Sequence, residues 1–105
     1  MSDNMSNEKL SRFLFELEEL IASRKNGDPE KSYTAKLLQG NINRLLQKVG
    51  EESVEYIIEA KSNDKEKTIS EAADLLFHFL VSLHGINLNL NDILAELYSR
   101  HNKKV

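Results

Sequence analysis

Two acidic patterns are the residues of this sequence best suited to chemistry. The first comprises four glutamates within little more than two helical turns: Glu51, Glu52, Glu55 and Glu59. Because residues four apart on a helix are neighbours, like charges at this spacing repel each other by about 0.2–0.5 kcal/mol. A cluster that repels itself favours a divalent cation over a solvated surface, although for Glu59 the solvated surface is the better interpretation.

The second acidic pattern lies on a mostly apolar segment downstream. Glu71, Asp74, His78 and Ser82 recur at spacings of three, four and four, which places them on one stripe of a helix. Carboxylates on an otherwise buried helix are unfavourable unless a positive group satisfies them. Salt bridges to a neighbouring helix and a cation site both meet that requirement. His78 is better interpreted as a core histidine with satisfied hydrogen bonds than as a proton acceptor.

Taken together, the two patterns predict a magnesium site. Glu52 with Glu55, and Glu71 with Asp74, are pairs at three-residue spacing, so antiparallel helices would direct all four into one gap. Oxygen ligands select hard cations, and Mg²⁺ typically binds a few carboxylates together with waters and substrate phosphates. The sequence has no phosphate-binding glycine loop and no covalent nucleophile with an evident base, so we expect attack by metal-activated water on a di- or triphosphate.

Helices must position these residues. The spacing of apolar residues predicts a helix that carries Leu10 to Ile21 and is ended by Asn26–Pro29, then a short helix from Ser32 to Leu38. A long helix over Asn41–Lys61 follows, and another over Lys65–His84 is capped by Asp64 and ended by Gly85. The last helix begins at a capping box formed by Asn89 and Asp92. No alternation of useful length predicts a strand.

The apolar pattern of the helix over residues 65–84 predicts that a second copy of the chain packs against it. Between Ile69 and Leu83 its apolar residues project in nearly every direction, and such a helix must be buried on all sides. A chain of 105 residues has few helices to do this, so we expect a symmetric homodimer to supply part of the burial. The expected fold class is all-α, a four- to five-helix antiparallel bundle completed by dimerisation.

Composition excludes several classes of function. The chain is 40% hydrophobic and 30% charged, as in a soluble one-domain protein, and its net charge of -3 disfavours a broad nucleic-acid interface. It has no cysteine, which excludes disulfides and thiolate metal sites. The N-terminus is polar, and the longest apolar stretch, Leu75 to Leu83, is too short to span a bilayer. We expect a cytoplasmic protein with no nucleic-acid and no membrane partner.

Three stretches resemble the phosphoribosyl-ATP pyrophosphatase family of histidine biosynthesis. They are Ser32-Tyr33-Thr34-Ala35-Lys36-Leu37-Leu38, Lys48-Val49-Gly50-Glu51-Glu52 with Glu55, and Glu71-Ala72-Ala73-Asp74-Leu75-Leu76-Phe77-His78. The acidic part alone is typical of the wider all-α, MazG-like nucleotide pyrophosphohydrolases. The first stretch and the context of the glutamates favour this member, and the resemblance extends from the first helix to Arg100-His101.

The resemblance implies hydrolysis of phosphoribosyl-ATP to phosphoribosyl-AMP and diphosphate, the second step of the pathway. It also implies Mg²⁺, a cytoplasmic setting and an intertwined helical homodimer. By position, it implies that Glu52, Glu55, Glu71 and Asp74 are the metal ligands. Glu51 belongs to the motif and would act by holding a ligand or orienting water.

Three cations, Lys36, Arg44 and Lys48, lie on or before the acidic helix and are candidates to contact substrate phosphate. A solvated position is favoured for Arg44, and for the two lysines both interpretations stay open. In many organisms this domain is fused to the cyclohydrolase that follows it in the pathway, whereas the length here predicts one monofunctional domain over residues 1–105.

Two other functions remain open at this point. The acidic cluster does not discriminate base or ribose, so a house-cleaning pyrophosphohydrolase acting on (deoxy)nucleoside triphosphates has the same pattern. A helical dimerisation module without activity is the second, because a fold does not fix a function.

Overall fold

Five α-helices make up the described part of the chain. The computed structural model describes residues 5–104, and most of the polar N-terminus discussed above lies outside them. In chain order the helices are α1 (Asn7–Ser23), α2 (Tyr33–Gln39), α3 (Ile42–Ser62), α4 (Lys65–Gly85) and α5 (Leu90–Lys104). No strand occurs between residues 5 and 104, so the predicted all-α class is confirmed.

Local hydrogen bonds fix where the helices begin, as the sequence predicted. Ser32 caps α2 and Asp64 caps α4, each through a side-chain oxygen that accepts a backbone N–H three residues on, at 3.1 and 3.0 Å. Asn89 and Asp92 form a reciprocal capping box before α5, in which each backbone N–H donates to the other side chain at 2.9 and 3.0 Å.

Gly85 ends α4 and also permits close packing. The helix stops at this glycine, as expected, and the left-handed residue of the following turn is Asn87, with φ 64°. A Cβ atom at Gly85 would lie 2.9 Å from Ile42 Cδ1. The missing side chain therefore lets the start of α3 approach the end of α4.

The hydrophobic core lies at one end of the α3–α4 hairpin, where α3 begins and α4 ends. Its buried members come from four helices: Ile21, Leu45, Leu80, Val81, Leu83 and Leu90. At the other end of the hairpin, large apolar side chains remain exposed: Val54 by 55%, Ile57 by 53%, Ile58 by 57% and Ile69 by 69%. The all-round burial expected for α4 is thus incomplete within one chain, and the dimer remains a prediction.

A buried carboxylate holds the start of α5. Glu18 on α1 is only 9% exposed, and its Oε2 accepts the backbone N–H of Leu90 at 2.5 Å and lies 3.0 Å from His84 Nε2. α5 leaves this point bent by 104° from α4. None of the helices in the described region is by itself long and apolar enough to cross a membrane, and only this bent pair passes, by length and composition alone.

Candidate functional site

The α3–α4 hairpin brings the two acidic patterns face to face. Asn63 takes the left-handed conformation at the end of α3, with φ 66°, and Asp64 caps α4, so the chain reverses within two residues. α3 and α4 form the most extensive helix–helix contact of the described chain. Side chains three and four apart share one face of each helix, and these two faces carry the acids.

Glu71 lies at the electrostatic centre of this cluster. Partial burial raises the pKa of Glu71 above its ordinary value of 4.5, and the negative charges of Glu55, Asp74, Glu59 and Glu52, in that order, raise it further. The repulsion destabilises the chain alone, and a divalent cation would relieve it. Glu59 lies one turn beyond Glu55 and is half-buried, and its charge also acts on Glu71; its interpretation as a solvated residue rather than a metal ligand stays a prediction.

Glu52 is the buried member of the cluster. It is 8% exposed, and its Oε1 is fully enclosed without a hydrogen bond from any described residue. His78 Nδ1 lies 2.6 Å from this oxygen, but its hydrogen bond runs to the backbone carbonyl oxygen of Asp74 at 3.0 Å. An enclosed carboxylate oxygen without a donor is unfavourable, so this is an atom that positive charge would stabilise strongly.

His78 is held on both sides of its ring. Its Nε2 lies 2.9 Å from the Tyr33 hydroxyl of α2, and the two rings meet edge to face with centroids 5.8 Å apart. With Nδ1 bonded to the Asp74 carbonyl, the predicted core histidine with satisfied hydrogen bonds is confirmed. Sequence reasoning missed the role of Tyr33, which lies 45 residues from His78, and its place in the Ser32–Lys36 stretch was the one available signal.

The other predicted site residues lie outside this arrangement. Glu51 is exposed, accepts a hydrogen bond from Gln47 Nε2 at 3.1 Å, and is not among the charges that act on Glu71. Lys36 and Arg44 are exposed and Lys48 is half-buried on α3. None of these three cations forms an ion pair with another residue in the described range.

The acidic side chains within the described residues do not by themselves form the coordination shell of a metal ion. Within residues 5–104 no group of three or more His, Asp or Glu side chains stands close enough to hold a metal ion. Mg²⁺ seldom needs such a cage, because it commonly keeps several waters and binds one or two carboxylates together with substrate phosphates. The donor set, which is rich in carboxylate oxygens and includes the enclosed Glu52 Oε1, fits this mode of binding.

The fold and site together define a class. An all-α chain that faces a Glu-x-x-Glu pair on one helix against a Glu-x-x-Asp pair on the next has the pattern of the all-α nucleotide pyrophosphohydrolases. The profile of the family described as phosphoribosyl-ATP pyrophosphohydrolase matches residues 14–101. The chain therefore belongs to the phosphoribosyl-ATP pyrophosphohydrolase family, a family of pyrophosphohydrolases that typically need a divalent metal.

Curated relatives agree with this assignment. The chain is 47% identical over 91 residues to the histidine biosynthesis bifunctional protein HisIE of Yersinia pestis, a match that covers 87% of this chain and 45% of the relative. The proteins of the same name from Pasteurella multocida and Campylobacter jejuni are 50% and 48% identical, with 87% and 90% of this chain covered and 45% and 48% of theirs. The chain thus spans somewhat under half the length of these relatives.

Proposed function

We propose that this chain hydrolyses phosphoribosyl-ATP to phosphoribosyl-AMP and diphosphate, a step of histidine biosynthesis, with Mg²⁺ as cofactor. The observation that carries the proposal is that the α3–α4 hairpin places the pairs Glu52/Glu55 and Glu71/Asp74 on two helices packed against each other, in a chain of this family. No Lys or Arg within residues 5–104 forms an ion pair with these acids, and a cluster of like charge suits a cation that arrives with a polyphosphate.

In this proposal Glu52, Glu55, Glu71 and Asp74 hold the metal. Glu52 is the buried member of this set, and Glu55 exerts the largest charge effect on Glu71. A bound Mg²⁺ supplies charge compensation for phosphate oxygens and lowers the pKa of an attacking water. Glu59 adds negative charge at the edge of the cluster and does not belong to the proposed ligand set.

The remaining candidates serve the substrate. Lys48 lies one helical turn before Glu52 and has no described ion-pair partner, so we assign it to phosphate binding together with Lys36 and Arg44, which lie in the preceding segment. A phosphate group is the anion that such cations would meet beside an acidic metal site. Glu51 is catalytic in this scheme only as a group that holds a ligand or orients water.

We propose a homodimer as the working form. The radius of gyration is 15.4 Å, against about 13 Å for a compact chain of this length. The accessible surface is 7938 Å², against about 6,000 Å² for a monomeric protein of this mass. An excess of this size is what each subunit of an obligate dimer buries, and we assign the interface to the exposed apolar side chains of α3 and α4. Sedimentation equilibrium should give twice the 12.0 kDa chain mass, and a monomer at micromolar concentration would contradict the dimer.

A substrate panel tests the proposed activity. Diphosphate release is measured from phosphoribosyl-ATP and from a set of canonical and non-standard nucleoside triphosphates, each with Mg²⁺. We expect phosphoribosyl-ATP to be the strongly preferred substrate. Release from the triphosphates but not from phosphoribosyl-ATP would transfer the chain to the house-cleaning function, and silence on every nucleotide would favour the dimerisation module. A cytoplasmic setting and a single domain over residues 1–105 complete the proposal.

A further inference from the structure

Three side chains from three helices form a line that ends on the acidic cluster. The Tyr33 hydroxyl of α2 lies 2.9 Å from His78 Nε2, and His78 Nδ1 on α4 lies 2.6 Å from Glu52 Oε1 on α3. Tyr33 is 53% exposed and yet delivers its hydroxyl to a histidine that is only 6% exposed. The proposed reaction assigns no role to Tyr33 or His78.

The neighbours of the ring fix the position of its proton. Nδ1 faces two groups that can only accept, the Asp74 carbonyl oxygen at 3.0 Å and the Glu52 carboxylate at 2.6 Å, so Nδ1 carries a hydrogen. In the neutral imidazole, Nε2 then accepts from the Tyr33 hydroxyl. Tyr33 therefore fixes both the tautomer and the rotation of the ring.

A purely structural histidine does not account for the contact with Glu52. The Tyr33 hydroxyl and the Asp74 carbonyl already satisfy both nitrogens of the ring. Glu52 Oε1 nevertheless lies against Nδ1, enclosed and without an aligned donor. The ring thus restricts where the Glu52 carboxylate can lie, and groups behind a metal ligand orient that ligand in this way.

We propose that Tyr33 and His78 are positioning residues for Glu52: the Tyr33 hydroxyl locks the His78 ring, and the ring holds Oε1 of Glu52 so that its carboxylate is ordered for a divalent cation. The inference rests on the proposed metal site. It gives the Ser32–Lys36 stretch a physical role, because the Ser32 cap fixes the start of α2 and hence the place of the Tyr33 hydroxyl.

The first experiment measures metal binding without substrate. Mn²⁺, a spectroscopic substitute for Mg²⁺, is titrated into the full chain while electron paramagnetic resonance reports the free ion. We expect Tyr33→Phe to raise the Mn²⁺ dissociation constant about 3- to 10-fold, the factor that one hydrogen bond carries. Tyr98→Phe removes an exposed hydroxyl from α5 and should leave the constant within about twofold. A merely structural hydroxyl would lower the unfolding midpoint in EDTA and leave the constant of the folded protein unchanged.

The second experiment asks whether Tyr33 acts through His78. His78→Asn keeps an amide N–H near the place of Nδ1 and removes Nε2, so it should bind Mn²⁺ more tightly than His78→Leu, for which we expect a loss of about 10- to 100-fold. In the His78→Asn background, Tyr33→Phe should cause no further change, because the hydroxyl has lost its partner.

The outcomes separate this inference from the proposed function. A wild-type constant for Tyr33→Phe, or an effect of Tyr33→Phe that persists beside His78→Asn, overturns the positioning role and leaves the metal site standing. If the wild-type chain binds no Mn²⁺ that Mg²⁺ displaces, the metal site itself is overturned, and the positioning role falls with it.

Discussion

Replacing Glu18 by alanine should detach the start of α5 from the rest of the fold. The Glu18 carboxylate on α1 accepts the backbone N–H of Leu90 at 2.5 Å, and the same oxygen lies 3.0 Å from His84 Nε2. Leu90 is 6% exposed, so water does not readily replace the lost acceptor. The perturbation therefore leaves a buried donor at a helix N-terminus unsatisfied.

The expected loss follows from these contacts. A buried N–H without a partner costs about 1–3 kcal/mol, and the hydrogen bond to His84 adds about 0.5–1.5 kcal/mol. Alanine has a higher helix propensity than glutamate, which offsets this loss of stability by only about 0.2–0.4 kcal/mol. The net free energy of unfolding should fall by about 1–4 kcal/mol, which lowers the melting temperature of a domain this size by roughly 5–20 °C.

Urea unfolding measures this loss at a fixed protein concentration, because the stability of the proposed dimer would depend on concentration. Glu19→Ala, at an exposed position beside Glu18 on the same helix, is the matched control and should stay within about 0.5 kcal/mol of wild type. Glu18→Gln retains an acceptor for the Leu90 N–H and should recover part of the loss. If Glu18→Ala unfolds at the same urea concentration as Glu19→Ala, Glu18 does not anchor α5.

Two further predictions concern the acidic hairpin. The fold raises the pKa of Glu71 above 4.5, so ionisation of this carboxyl should lower the free energy of unfolding as pH rises from 4.5 through the pKa of the folded state. In EDTA, Glu71→Gln should therefore lose less stability than wild type over that pH interval. An equal dependence of stability on pH in the two proteins would refute this. At Gly50 an added Cβ would meet no atom within 4 Å, so Gly50→Ala should stabilise α3 by about 1 kcal/mol in urea unfolding; a destabilised variant would place a partner chain against this residue.

The parts of the fold that depend on short-range sequence were predictable. Ser32, Asp64 and the Asn89/Asp92 pair cap the helices we expected, because capping bonds join residues two or three apart. The facing of the two acid pairs followed from helical spacing and a short reversal.

The parts that depend on tertiary packing were not predictable. Glu18 meets the Leu90 N–H across 72 residues, and Tyr33 meets His78 across 45. No periodicity relates such residues, since each bond exists only once the core has set the helices in place. For the same reason the close approach of Ile42 to Gly85 was not predictable.

Diphosphate release from phosphoribosyl-ATP by the wild type and by Glu55→Gln, with and without Mg²⁺, tests the central claim most directly. Glu55→Gln removes the charge that acts most strongly on Glu71 and keeps the shape of the side chain. We predict Mg²⁺-dependent release that falls by about 100-fold or more in this variant while its stability in EDTA equals or exceeds that of wild type. Glu19→Gln, exposed on α1, should retain the activity. Release that needs no divalent cation, or that survives Glu55→Gln unchanged, would contradict the account.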